Sequence, residues 1–322
     1  MKRTLLRSAL ALSLGLIAPL ASAQWAPTKP VRIVVPFPAG GIVDLMSRSF
    51  TDRLSAALGQ PVVIEVRPGA HSSLGNEVVA RAEPDGHTLL MGTLSMATLP
   101  PFMKVPWHPT KDFAGVAMVG QVPNLVVIPA TLEPRTLREF VAYAKARPGQ
   151  LNFANGGNGT SPTLGVEMLK KHAGLQMTSV GYKGYPPVIP DMIAGRIEFS
   201  MVPFAVAAPH VKSGKLRALA IASNSRSRLL PDVPTMAEAG FADSPVISWY
   251  AIFAPAGTPR PVIQRLNAEF AKALADTEVQ GRIESLGGAT LPTGSPAEVD
   301  ALLAAEADRW AKFIKESGLK LE

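Results

Sequence analysis

The chain has 322 residues, 47% of them apolar, with 32 basic and 25 acidic side chains and a formal net charge of +7. Its size allows two medium α/β units or one large one, and its Lys and Arg form no cluster of the kind nucleic-acid binding uses. It has no cysteine, which excludes disulfide staples and thiolate metal sites, so apolar burial must hold the fold.

The first 23 residues read as a segment removed before folding. Lys2, Arg3 and Arg7 open it, an apolar run covers 8–20, and Ala21-Ser22-Ala23 has the small-residue pattern of a signal-peptide cleavage site. The apolar run is shorter than the roughly 20 residues that span a bilayer, so cleavage is expected in place of anchoring. Loss of those three basic residues lowers the net charge from +7 to +4. That balance suits an exported, soluble chain and mildly favours anionic ligands.

After Trp25, short apolar runs alternate with amphipathic stretches, as in a parallel α/β sheet. "VRIVV" (31–35) predicts a strand and 42–58 a helix, with Leu45, Met46, Phe50, Leu54 and Leu58 at helical spacing. "PVVIEV" predicts the next strand, "RPGAHSSLG" a loop, the stretch carrying Leu74, Val78 and Val79 a helix, and "TLLMGT" a third strand.

From about Val122 the pattern restarts. "NLVVIP" predicts a strand, and Thr136 with Glu139 three residues on forms a capping box at the head of a helix. "LNFAN" predicts a strand, "GGNGTSP" a loop, and 163–174 a helix with Pro162 in its first turn, where a missing N–H costs nothing. "MTSVGYKG", a short helix around 188–194, the strand "RIEFSMVP", a helix near 207–215 and the strand "LRALAIAS" complete this set.

The extended segment "PVISWYAIFAPAGTP" then mirrors the crossing at "VGQVPNLVVIP". Three helices end the chain, the last opened by Ser295, Pro296 and Glu298. Two crossings predict two α/β lobes, one made of 24–122 with 249–322 and the other of 123–248. One continuous doubly wound sheet is the alternative that periodicity leaves open.

Three strand-to-helix loops are rich in Gly, Ser, Thr and Asn: "PAGGIVD", "GAHSSLG" and "NGGNGTS". In open parallel sheets ligands sit beyond the carboxyl ends of strands. A helix start there presents unpartnered N–H groups and about half a positive charge, so it receives an anion without Lys or Arg. Gly40 and Gly41 allow close backbone approach, and Ser72, Ser73, Thr160 and Ser161 add hydroxyl donors. Each loop alone also reads as a tight turn or an ordinary cap, with Asp44 serving its own helix. Three together, drawn from both predicted lobes, point to an anion site between the lobes.

Neither the dinucleotide fingerprint nor the phosphate loop matches these glycines. There is no Gly-x-Ser-x-Gly elbow and no His-Glu-x-x-His helix. The five histidines lack metal-ligand spacing, so neither a metal nor a cofactor is expected. Only His71 lies in a candidate loop, reading equally as a ligand contact or a surface imidazole. Asp44 with His71 is the one acid–base couple left open, and nothing marks a nucleophile, so an enzyme is not expected. Phe37 and Tyr182 read as pocket walls or as packing, and Trp249 and Tyr250 as core.

Seven collinear blocks, among them "PVRIVVPFPAGGIVD", "VRPGAHSSLGNEVVARAEPDGHTLL", "FANGGNGTSPTLGVEML" and "GYKGYPPVIPDMIAGRIEF", resemble the Bug family of extracytoplasmic solute-binding receptors of tripartite tricarboxylate transporters. The resemblance implies a type II periplasmic-binding-protein fold, two α/β lobes joined by two crossing hinge strands. It implies a periplasmic monomer that closes on a small organic carboxylate and hands it to membrane permease subunits. A ligand-sensing protein coupled to a signalling partner shares every one of these features.

Carried onto this sequence, the family's ligand loops correspond to Phe37, Ala39, Gly40, Gly41, Ile42, Val43 and Asp44, then to Ala70, His71, Ser72 and Ser73. In the other lobe they correspond to Asn155, Asn158, Gly159, Thr160 and Ser161, with Tyr182 nearby. Ile42 and Val43 stand where relatives commonly carry Ser-Thr, and His71-Ser72-Ser73 where they often carry Gly-Gly-Asn. Thr163 replaces a frequent His, and Gly181 the proline of a usual Val-Pro-Tyr. Loss of two hydroxyls makes one wall more apolar, so the expected ligand is a mono- or dicarboxylate with an apolar body.

Overall fold

A computed structural model describes residues 25–242 and 246–319; the predicted signal peptide at 1–23 lies outside them. Among the described residues the first sheet takes β1 (Val31–Val35), β2 (Val62–Val66), β3 (Thr88–Thr93) and β4 (Phe113–Val122) from the early chain. It takes β10 (Ser248–Pro255) and β11 (Ala289–Thr290) from the late chain, in the order β11-β4-β10-β3-β1-β2. β1 is parallel to β2 and β3, whereas β10 runs antiparallel between β3 and β4. The inner strands are apolar almost throughout because both faces are covered; Ile33, Val34, Leu89 and Leu90 are all fully buried.

In the second sheet β5 (Asn124–Pro129) lies between β8 (Ser200–Pro203) and β9 (Leu216–Ala222), antiparallel to both. The parallel pair β6 (Asn152–Asn155) and β7 (Thr178–Gly181) joins it through a bridge between Phe153 and Phe199. The chain passes between the sheets at Pro123 and again between β9 and β10. The architecture is therefore two α/β lobes joined by two crossing strands, not one continuous sheet. Phe140 stacks on Phe199 at 4.5 Å in the second core, and each such buried ring contributes about 1.5–3 kcal/mol.

The helix predicted over 42–58 is two, α1 (Ile42–Arg48) and α2 (Thr51–Leu58). The Ser47 and Ser49 hydroxyls donate back to the carbonyls of Val43 and Leu45, at 2.8 and 2.9 Å, a local competition that bends helices. Phe50 then leaves the helical region (φ −124°, ψ −4°) and is buried edge-on to Phe270 at 5.5 Å.

The remaining helices are α3 (Ser73–Ala80), α4 (Ser95–Phe102), α5 (Leu137–Lys145), α6 (Ser161–Ala173), α7 (Val188–Ile193), α8 (Phe204–Lys212), α9 (Arg260–Ala275), α10 (Thr277–Ser285) and α11 (Pro296–Ser317). Both predicted capping boxes are present, at α5 and α11. α4 has no counterpart in the sequence reading, because Pro100 and Pro101 sit inside it and interrupt its periodicity.

Candidate functional site

A cavity lies where the loops of the two sheets face each other. It encloses about 590 Å³ including its solvent-open part. Its walls are the segment after β1 (Phe37, Pro38, Gly41, Ile42, Val43), Thr93 to Ser95 after β3, and Gly156 with Thr160 to Pro162 after β6. Gly184 to Pro186 after β7, Pro203 with Val206, and Ser248 to Tyr250 complete them. Apart from the hinge residues 248–250, these are positions beyond strand carboxyl ends.

Among the described residues, α1, α4, α6 and α8 begin at this wall, and none of their N-caps, Gly41, Leu94, Thr160 and Pro203, makes a side-chain cap bond. α5, α10 and α11, which carry side-chain caps, begin elsewhere. The Phe204 N–H of α8 is taken by the Pro123 carbonyl at 3.0 Å and the Ser95 N–H of α4 by Thr93 Oγ1 at 3.4 Å, so the first-turn N–H groups that remain for a guest are those of α1 and α6, with the positive ends of all four helices. Among the described residues lining the cavity, none is charged.

Polar character comes instead from hydroxyls. Thr93 and Ser95 share a bond of 2.9 Å, and Ser95 is equally close to Ser72. Ser161 bonds Ser248, and both accept from the Asn124 amide at 3.4 and 3.3 Å. The Tyr185 hydroxyl bonds Thr160 and Thr163 at 3.3 and 3.0 Å, and burial pushes its pKa up, keeping it protonated.

Of the residues expected at the site, Phe37, Gly41, Ile42, Val43, Thr160 and Ser161 lie on the cavity wall. Gly40, at φ 75°, makes the turn, and its N–H donates to Asp44 Oδ2 at 2.9 Å while Arg48 Nε donates to Oδ1 at 2.8 Å. Asp44 is thus a buried clamp on the turn, and Ala39 is exposed beside it. Ser72 stands behind Ser95, and Ser73 Oγ accepts from Trp107 Nε1 at 2.9 Å. Tyr182 lies off the wall. Its hydroxyl donates to Asp191 at 2.7 Å, and burial together with that carboxylate pushes its pKa up to about 12.

His71, Asn158 and Gly159 join the two lobes. His71 Nδ1 accepts from the Asn158 N–H at 3.0 Å, which fixes the proton of the neutral ring on Nε2. Burial lowers the His71 pKa. Thr98 Oγ1, from α4, donates to the Gly159 carbonyl at 2.5 Å. Asn155 shapes the same loop, accepting from Gly157 N–H and Thr163 Oγ1 and donating to Asn158 Oδ1. Ala70, His71 and Ser72 are all left-handed, with φ of 45°, 56° and 88°, a conformation that costs non-glycine residues about 1–2 kcal/mol each. Asp44 and His71 are held by different partners and form no acid–base couple.

Sequence reasoning missed Thr93, Ser95, Thr98, Tyr185 and Ser248. The signal for the first three was present, since "TLLMGT" was read as a strand and the rule that singled out the other loops applies to its carboxyl end. Trp249 and Tyr250 are buried as expected of core, and they also border the cavity.

The model of the tripartite tricarboxylate transporter family receptor matches residues 46–319. Protein BugT of Bordetella pertussis is 35% identical over 316 residues, covering 96% of this chain and 95% of its own. The structure of the periplasmic binding protein BugD superposes with a TM-score of 0.87 at 32% identity, over 92% of this chain and all of that one. MatC from Rhodopseudomonas palustris, with bound malate, gives 0.83 at 33% identity over 89% and 99% of the two chains. A second R. palustris protein, Rpa4515 with adipate, gives 0.86 at 31% identity over 91% and 99%.

Proposed function

The chain belongs to the tripartite tricarboxylate transporter family of receptors, and from that premise we propose that it captures a small organic carboxylate between its lobes and delivers it to membrane permease subunits. It is a solute receptor of the periplasmic-binding type and not an enzyme. In this reading residues 1–23 are a cleaved signal peptide and the mature chain works in the periplasm as a monomer. One moving unit is 24–122 with 249–322, the other is 123–248, and they turn about Pro123 and the residues leading into β10.

The carrying observation is the meeting of uncapped helix starts from both lobes at a cavity with no charged side chain. Such a site offers N–H and O–H donors to an anion and apolar walls to its body. Malate in MatC and adipate in Rpa4515 are carboxylates held by proteins of the same fold. Here the contacts to the carboxylate fall to the backbone N–H groups of Ile42 and Val43 at the start of α1 and of Ser161 at the start of α6. The expected residues off the wall act by shaping these loops or by joining the lobes.

A guest closes the lobes only to the extent that it binds the closed form better. The test is titration calorimetry of the purified chain against mono-, di- and tricarboxylates, with small-angle scattering to follow contraction. Binding of at least one acid with contraction is expected. No heat with any of them sinks the carboxylate, and heat without contraction sinks the closure.

A further inference from the structure

The composition of the cavity wall narrows the class of guest, on the premise that the chain is a carboxylate receptor. We propose that the ligand is an aromatic monocarboxylate. Four aromatic residues border the cavity, Phe37, Tyr185, Trp249 and Tyr250, with Pro38 and Pro186 among them.

No cation is present among the described wall residues to offset a second buried carboxylate, and an uncompensated ion in such a site is costly. The wall hydroxyls are largely spent on one another, Thr93 on Ser95 and Ser161 on Ser248, leaving few donors for a second acidic group. The guest's ring packs among the aromatic walls.

The test is calorimetry on the full mature chain with benzoate, phenylacetate, cyclohexanecarboxylate, malate and adipate. Benzoate or phenylacetate is expected to bind about 3- to 10-fold tighter than cyclohexanecarboxylate, the scale of an aromatic pair beyond its buried area, and at least tenfold tighter than malate and adipate. Equal or tighter binding of cyclohexanecarboxylate overturns the aromatic assignment. Preference for malate or adipate overturns it too, yet leaves the carboxylate-receptor reading standing. Silence with all five removes both.

Discussion

On the proposed closure, replacing Thr98 by Val removes a hydrogen bond made only with the lobes together. Its hydroxyl donates to the Gly159 carbonyl at 2.5 Å, both groups buried. Within α4 the loss is small, because the Leu94 carbonyl still receives the N–H groups of Ala97 and Thr98 at 3.0 and 3.2 Å. The cost therefore falls on Gly159, whose acceptor is left unsatisfied in the closed form and returns to water in the open one. A lost bond of about 0.5–1.5 kcal/mol, or a stranded acceptor of about 1–3 kcal/mol, brackets the effect near 1–2 kcal/mol. Apparent affinity scales with the population of the competent form, so ligand binding should weaken roughly 5- to 30-fold. Titration calorimetry of native and variant chains with the best-binding carboxylate measures this directly. A dissociation constant within twofold of native would refute the latch.

Three further outcomes are expected. The Nδ1 of His71 must be unprotonated to accept from Asn158, and burial lowers its pKa below the ordinary 6.5. Closure and ligand affinity should then be full above about pH 6.5, fall as the pH drops from there to the depressed value, and level off below it; a titration series from pH 8 to 5 on native protein and His71→Gln tests this, and parallel curves would contradict it. Ala70→Gly relieves a left-handed φ of 45° and should raise stability by about 0.5–1 kcal/mol after the entropy glycine adds to the unfolded chain; a lower melting midpoint argues against strain there. Gly92→Ala in β3 sets a methyl 2.5 Å from the Phe253 ring and 2.6 Å from Met96 Sδ, so urea unfolding should show about 1–3 kcal/mol of destabilisation, and an unmoved midpoint would mean the core yields at little cost.

Strands such as "VRIVV" and "NLVVIP" are legible because their apolar runs are short, buried and bounded by Pro, whereas β4 is read only as part of a crossing segment and β11 not at all. The capping boxes at Thr136 and Ser295 were legible because the chemistry is local. What failed was non-local or masked. The break at Ser49–Phe50 depends on serine hydroxyls choosing carbonyls and on a pocket for Phe50. α4 was hidden by Pro100 and Pro101, and with it went Ser95 and Thr98. The loops around His71 and Asn158 were picked out as donors for an anion, whereas they spend part of that capacity on one another across the cleft. Spacing along the chain cannot show such a pairing between residues 87 positions apart.

The placing of β10 between β3 and β4 has a bearing on the order in which the molecule comes together. In the first sheet β4 has only β10 and β11 as neighbours, so none of its ladder forms until residues near 255 are available. The second sheet needs only 124–222, an unbroken stretch of chain. During synthesis the middle of the polypeptide can complete its sheet before the first sheet can close. The opening third waits with an unpaired edge for a strand made late, the span over which a holding chaperone has most to protect.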